Sequence, residues 1–588
     1  MNALRKSFIL LFAAAAVFFA ATAPAFADNL GEQKTFNVDK AYDAQGRLKL
    51  NGTLVFSDNK LYFYVDDSWW QNLTPIKQTD WRLSFANLAQ EFSANIYPKL
   101  TSTFGSEPAA GADGDTHLTI LVEPMIKNAG GYINTGDNYY KLQSPQSNER
   151  KMIYLAASYA ATPLAKVYLA HEFMHLIQFN QKDIQRNVSE ETWLNEARAE
   201  YSSTFLGYDD VFSGSNLEQR VRRFLEQPGA SLTEWDDSEA AYGVAHIFTA
   251  YLVDHYGIKI LADSLKSNLV GIPSLNYALE KNGGNKDFST IFNDWAAAVL
   301  INDCSAGREF CYFNPNLKNL RVSPRVNYLP SSSSDITMTV NYHSTYWAGN
   351  WQKIVGGVGE LTINFSGPIN ADTSVLYLIC NTDNVCELKK LPLDNNQKGS
   401  LTIADFGAKT TSLILMPIIG GKLTGFDGRI DDLVYNFSVN LHSLSQSDQQ
   451  IGSSSNQQNN PSNIDLVALQ AAIAALRQQI AALQAHLAAL LAQPKIQYSC
   501  SAITADLYFG VNQPAQVRCL QEVLTSQGRE IYPEAKITGN FLTATKAAVI
   551  RFQEKYAAQI LAPAGLKKGT GYVGAATRNK INQLIKGL

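Results

Sequence analysis

Apolar and polar residues alternate through residues 48–66: Leu48, Leu50, Leu54 and Phe56, then Leu61, Phe63 and Val65, around the turn-forming Ser57-Asp58-Asn59-Lys60. A period of two places one set of side chains on one face of a strand, so the stretch predicts a β-hairpin. The period then becomes helical at Trp81, Phe85, Leu88, Phe92 and Ile96. Short apolar runs at 118–122 and 152–156 read as further strands. Asp113 and Asp115 lie in the turn at 111–115 and read as turn formers rather than calcium ligands. Thr162 and Pro163 suit the cap and first position of a helix over 164–179, with Leu164, Val167, Phe173, Leu176 and Ile177 buried. Ser189-Glu190-Glu191 offers a cap and acidic first-turn residues to the next helix. More helices are expected at 239–256, 259–268 and 287–301, the first stopped by Gly257.

After about residue 318 the pattern changes. Segments at 336–340, 361–365, 374–379, 412–416 and 433–439 alternate or are β-branched, with Gly, Asn and Asp between them. That is the pattern of an all-β sandwich. Residues 443–463 are mostly Ser, Gln and Asn, a flexible linker. Leu466, Leu469, Ile473, Leu476, Ile480, Leu483, Leu487 and Leu490 then alternate spacings of three and four, the seam of a coiled coil over 464–493 that Pro494 ends. A compact unit follows over 496–588. The chain is therefore expected to be multidomain, with a mixed α+β domain over 28–318 and a β-sandwich over 319–442.

Composition agrees with several cores. The chain has 588 residues, 46% hydrophobic and 17% charged, too long for one core. A net charge of −4 and a pI near 6.1 give no reason to expect nucleic acid or an anionic membrane as partner. Arg5 and Lys6 precede an apolar stretch over 8–21, and Ala25-Phe26-Ala27 fits small-x-small cleavage, so residues 1–27 read as a signal peptide and Asp28 as the first mature residue. No later run is long and apolar enough to span a membrane. The protein is expected to be secreted or cell-wall associated. Six cysteines in three local pairs, Cys304 with Cys311, Cys380 with Cys386 and Cys500 with Cys519, fit disulfides in such a compartment.

Candidate chemistry centres on His171-Glu172-Phe173-Met174-His175, an H-E-x-x-H pattern. On a helix His171 and His175 share a face and can bind one zinc ion, with Glu172 close enough to polarise water. Catalytic zinc needs a third protein ligand and an open position. Glu196 and Glu200 in Trp193-Leu194-Asn195-Glu196-Ala197-Arg198-Ala199-Glu200-Tyr201 are also one turn apart, so both can face the site. Tyr242 and His246, one turn apart on a later helix, are candidates for the oxyanion donor. Arg220, Arg222 and Arg223 read as a solvated helix face. No G-x-S-x-G, Walker loop or dinucleotide fingerprint is present.

HEFMHLIQFN followed by WLNEARAEY, with SNERKMIYLAA and IYPKLTSTFGSE before it, resembles the hyicolysin-like secreted metallopeptidases, of the gluzincin type, over roughly residues 80–305. The resemblance implies a zincin-type catalytic domain with zinc ligands His171, His175 and Glu196 and with Glu172 as base. Glu200 is then expected to hold the distal nitrogen of a ligand histidine. Ala197-Arg198 departs from the small, Gly-containing pair usual there. Residues 498–586 resemble the three-helix type of peptidoglycan-binding domain. Its pattern runs through VRCLQ at 517–521, ITGNF at 537–541, TKAAV at 545–549 and GYVG at 571–574. The expected function is a secreted zinc-dependent endopeptidase acting on protein or peptide substrate, held to the wall by peptidoglycan and dimeric through 464–493. The alternatives are a peptidoglycan peptide hydrolase and a non-catalytic wall adhesin.

Overall fold

The computed structural model describes residues 27–442 and 500–586, apart from 127–128, 331–334, 384, 428–429, 509–510, 512, 534, 536, 565 and 567. The expected signal peptide, all but its last residue, lies outside the described residues, as do the expected linker at 443–463 and coiled coil at 464–493. The described residues belong to two compact units.

The first unit opens on a six-stranded sheet: β1 (Gln33–Asn37), β2 (Lys49–Ser57), β3 (Leu61–Asp66), β4 (Leu118–Glu123), β5 (Gly131–Tyr132) and β6 (Met152–Ala156), in the order β1-β2-β3-β4-β6-β5. The expected hairpin is β2 and β3, paired antiparallel, while β3, β4 and β6 run parallel. Every residue of β3 is buried because both faces are covered. Leu61, Phe63 and Val65 enter the large core under the helices, and Tyr62 and Tyr64 enter a smaller one with Phe36, Leu50, Leu54 and Tyr154. Alternation on this strand therefore separates two cores rather than core from solvent.

Helices cover one face of this sheet. Those expected at 239–256, 259–268 and 287–301 are Glu239–Tyr256, Lys259–Leu265 and Phe288–Ile301. Asn216–Glu226 is the helix on which Arg220, Arg222 and Arg223 were expected, and Gly271–Lys281 has no counterpart in the sequence reading.

Nine strands follow: β7 (Arg325–Leu329), β8 (Ile336–Ser344), β9 (Gln352–Gly356), β10 (Gly359–Ser366), β11 (Asp372–Asn381), β12 (Cys386–Leu391), β13 (Lys398–Phe406), β14 (Thr410–Gly420) and β15 (Leu433–His442). They form one sheet, β12-β11-β14-β13-β10-β15-β8, with β9 added on β14 and β7 on β9. The two sheets of a sandwich are here joined, because Phe406 pairs with Thr410 across the turn from β13 to β14. The sheet curls around Leu361, Ile363, Phe365, Leu413, Leu415, Tyr435 and Phe437. Along β14 the alternate residues Ile414, Met416 and Ile418 belong instead to the helical core. Trp347 seals that junction against Phe288 and Phe292, with ring centroids 4.9 and 5.5 Å away. One core thus runs through the expected boundary near residue 318.

The second unit contains helices Pro514–Ser526, Thr543–Lys555 and Ala575–Ile585 around Leu520, Val549 and Phe552, the residues expected in its core. Its structure shows an internal repeat. Gln521 accepts from the Thr538 and Gly539 amides, each at 2.8 Å, and Gln553 accepts from Thr570 and Gly571 at 2.7 and 3.0 Å. Gly539 and Gly571 both have positive φ, 81° and 72°, which is why each turn needs glycine. The disulfides Cys304–Cys311, Cys380–Cys386 and Cys500–Cys519 are all present, which fits an oxidising, extracytoplasmic compartment. Among the described residues no helix is long and apolar enough to cross a membrane.

Candidate metal centre

Two helices carry the site. Ala165–Phe179 bears His171, Glu172 and His175, and its apolar residues Leu169, Ala170, Phe173, Met174, Leu176 and Ile177 are buried. Thr192–Phe205, packed beside it, bears Glu196 and Glu200.

Neither helix starts as the sequence suggested. Thr162 Oγ1 accepts only from the Leu164 amide, at 3.3 Å, so it does not cap a helix that begins at Ala165. Glu190 and Glu191 precede the second helix and point away from its amides. Glu191 accepts from Trp193 Nε1 at 2.7 Å and from the Gly425 amide at 2.6 Å, tying this helix to the loop after β14. Glu190 accepts from Arg198 at 3.0 Å and from the Gly271 amide at 2.7 Å, and it pairs with Lys182 at 3.3 Å. Arg198, unusual beside the ligand motif, is thereby fully buried behind Glu196.

His171, His175 and Glu196 bring one nitrogen or oxygen each within 4.8 Å of one another. His171 Nε2 stands 3.1 Å from His175 Nε2 and 3.3 Å from Glu196 Oε2, and His175 Nε2 is 3.5 Å from Glu196 Oε1. Glu196 Oε2 is buried and accepts no hydrogen bond. His171 Nδ1 lies 3.3 Å from Glu200 Oε1, so a proton on Nδ1 leaves the Nε2 lone pair facing His175 and Glu196. Two imidazole nitrogens and a carboxylate oxygen without a hydrogen-bond donor converge here. Donors of these types at this spacing fit a tetrahedral zinc ion. Among the described residues no other group of three such side chains meets the same condition.

Glu172 points into the same cleft, of about 490 Å³. Burial raises its carboxyl, as do Glu196 and Glu200, against the opposing pull of the two histidines. The edge strand β5 passes so close that a Cβ on Gly131 would sit 3.0 Å from Glu172 Cγ. Glycine there lets backbone reach the carboxylate.

Glu200 is buried, which alone would raise its carboxyl. Arg220, then His171 and His246, override burial and hold it well below the usual carboxylate range. Arg220 Nε and Nη2 donate to its two oxygens at 2.6 and 2.8 Å, and Asn216 adds a third bond at 3.2 Å. Arg220 is therefore no part of a solvated face. Its helix reaches Glu200 because Gly243 permits close approach: a Cβ there would be 2.7 Å from the Phe224 amide nitrogen. Nothing local in the sequence marks Arg220; the signal is tertiary.

The two candidate oxyanion donors separate. Tyr242 lines the cleft with His171 and Glu172, lies over the Arg220 guanidinium at 4.9 Å, and donates to Asp237 at 3.1 Å. Burial, then Glu196 and Asp237, push its phenol far up, so it stays a proton donor. His246 is fully buried behind the site, 3.5 Å from Glu200 and 2.9 Å from Thr204 Oγ1. Its place corrects its assignment as an oxyanion donor, since it buttresses Glu200 and does not face the cleft. Asp115, considered for calcium, is engaged by His117 at 2.6 Å, and Asp113 by Arg150 at 3.3 Å.

No family model matches the chain, and no curated protein matches it. Among solved structures it is similar to the pre-peptidase C-terminal domain of a collagenase from Bacillus anthracis, at 10% identity and TM-score 0.13, over 20% of this chain and 96% of that one. It is similar to the same extent to a periplasmic inhibitor of g-type lysozyme from Aeromonas hydrophila, at 8% identity and TM-score 0.13, over 20% of this chain and all of that one. Likenesses this slight carry no argument about fold or function.

Proposed function

We propose that the protein is an exported zinc-dependent endopeptidase of the hyicolysin-like, gluzincin type, with a zincin-type catalytic domain and a C-terminal module that holds it to peptidoglycan. The observation that carries this reading is the convergence of His171, His175 and Glu196, one of whose carboxylate oxygens has no hydrogen-bond donor, at the edge of a cleft lined by His171 and Glu172. His171, His175 and Glu196 would hold the ion, which when bound supplies Lewis acidity toward a peptide carbonyl and acidifies water. Glu172 takes the proton from the attacking water and returns it to the leaving amine, a role suited to a carboxyl raised by burial. Tyr242 donates from its protonated hydroxyl to the developing oxyanion. Glu200 holds His171 Nδ1 and is itself held by Arg220.

The test is metal content and turnover together. Purified protein should carry about one zinc per chain and lose activity in chelator. Glu172→Gln should keep the metal and lose turnover; full activity in that variant sinks the mechanism. Casein and purified wall sacculi as parallel substrates separate a general endopeptidase from a wall peptide hydrolase. Retention on sacculi with no turnover of either substrate marks an adhesin.

A further inference from the structure

Asp28 follows the small-x-small sequence Ala25-Phe26-Ala27, and its side chain is only 4% exposed. Its carboxylate accepts from Arg150 Nη1 at 2.6 Å, from Arg150 Nη2 at 3.1 Å and from the Tyr64 hydroxyl at 2.8 Å, and it pairs with Lys34. Lys34 is on β1, Tyr64 on β3, and Arg150 two residues before β6, so this one side chain ties together three parts of the sheet. Burial works against the charge, but these partners hold the carboxyl down at about 2.

The backbone nitrogen of Asp28 is placed as specifically. It donates to the Tyr62 hydroxyl at 3.2 Å. Tyr62 is buried; burial pushes its phenol up to about 12, with the Asp115 carboxylate adding to the rise. Asp115 Oδ1 accepts from the His117 amide at 2.9 Å and faces His117 Nδ1 at 2.6 Å. Asp115 Oδ2 is buried and accepts no hydrogen bond. An amide at residue 28 offers one donor and no charge, whereas an ammonium offers three donors and a positive charge. The Tyr62 hydroxyl interacts with both this nitrogen and the Asp115 carboxylate, so a positive charge at residue 28 would face a buried carboxylate that an amide leaves short of a donor.

We infer that hydrolysis of the Ala27–Asp28 bond is the maturation step of this protein, and that the α-ammonium it releases docks against Tyr62 and Asp115. A leader peptidase adds water across the bond. The hydroxyl stays on the Ala27 carbonyl, and the Asp28 nitrogen takes the remaining proton and a second from solvent. No propeptide is removed afterwards. A cut further along would first free Arg150 and Tyr64 from Asp28, then strip β1 from its pairing with β2 at the sheet edge.

The test uses the full chain, exported with its own leader, and needs no peptidase activity. N-terminal sequencing and intact mass should give Asp28 as the first residue. The α-amine should then react slowly with an amine-acylating ester near neutral pH. An ion pair that raises the amine by about one unit leaves about a tenfold smaller reactive fraction than in a free peptide of residues 28–32. Asp115→Asn should restore most of that rate while the protein still begins at Asp28; if it fails to fold, Tyr62→Phe removes the other partner. A different first residue, or labelling as fast as the free peptide, overturns the inference. So does a protected amine that neither variant releases.

Discussion

Glu200 shows how much of the candidate site depends on side chains that lie behind the three converging donors. It faces His171, Arg220 and His246 at once, and its charge survives burial because of them. Glu200→Ala should weaken metal binding by about 10- to 100-fold, the usual cost of losing the partner that orients a ligand histidine. Arg220→Met should do much the same, since it leaves Glu200 buried without its main counter-charge, and Arg220→Lys should recover part of the loss. Competition with a zinc indicator reads both. Unchanged affinity in Arg220→Met would show that Glu200 needs no help. A second residue makes a pH prediction. Glu123 is fully buried on β4, with one oxygen accepting from Tyr132 at 3.2 Å and the other unpartnered, and burial lifts its carboxyl to about 8. Folded protein then keeps a proton that the unfolded chain loses above about pH 4.5, so stability falls as pH rises from there to about 8. The full swing is on the order of 5 kcal/mol. Glu123→Gln should melt higher than wild type at pH 8 and flatten the profile; parallel pH profiles for the two proteins would refute it. At this scale the sequence displayed the ligand-type residues through their spacing alone. It did not display Arg220, which takes its role from a neighbouring helix, or the inward turn of His246.

Elements were legible where they carry their own period. The hairpin of β2 and β3, the strand Met152–Ala156 and the helix Glu239–Tyr256 fall where alternation or helical spacing put them. β7 and β12 were missed because most of their residues are exposed and no apolar period marks them. Asn216–Glu226 was expected only as a charged helix face without bounds, because it buries little beyond Leu217 and Phe224. Helix starts misled for another reason: Glu190 and Glu191 have the composition of a cap yet serve as buried links to distant segments. That gives a prediction about the Glu196 helix. Arg198, Glu190 and Lys182 are all buried, and both cations pair with Glu190. Arg198→Met fills similar space but leaves Glu190 short of a partner, and should cost about 3 kcal/mol. Adding Glu190→Gln should return part of it, because the unpaired charge goes with it. Urea unfolding of the two variants measures both. A single variant as stable as wild type would mean that Lys182 alone satisfies Glu190.

At the scale of the whole molecule the two folded units lie on either side of residues 464–493, whose heptad run is known only from the sequence. The spacing of Ile473 and Ile480 at one seam position, with Leu469, Leu476, Leu483 and Leu490 at the other, favours two parallel strands. Leu466 and Leu487 at the first position dilute that preference, and few charges flank the seam to fix register. The competing arrangement is a single amphipathic helix laid against its own chain. Pairing has a functional consequence that folding back lacks. A dimer carries two C-terminal modules; if these bind peptidoglycan as proposed, the second acts on the same repetitive polymer at a high effective concentration set by the span between them. Retention on the wall would then far exceed the affinity of one module, with no new contact. Light scattering on the full chain should report a dimer, and Ile473→Asp with Ile480→Asp should report a monomer, since a charge at a buried seam position is strongly unfavourable. The same variant should elute from sacculi earlier than wild type while its zinc content and turnover of a soluble peptide stay unchanged. A monomer for both proteins rules out pairing through this segment. A dimer that survives both substitutions places the contact elsewhere in the molecule.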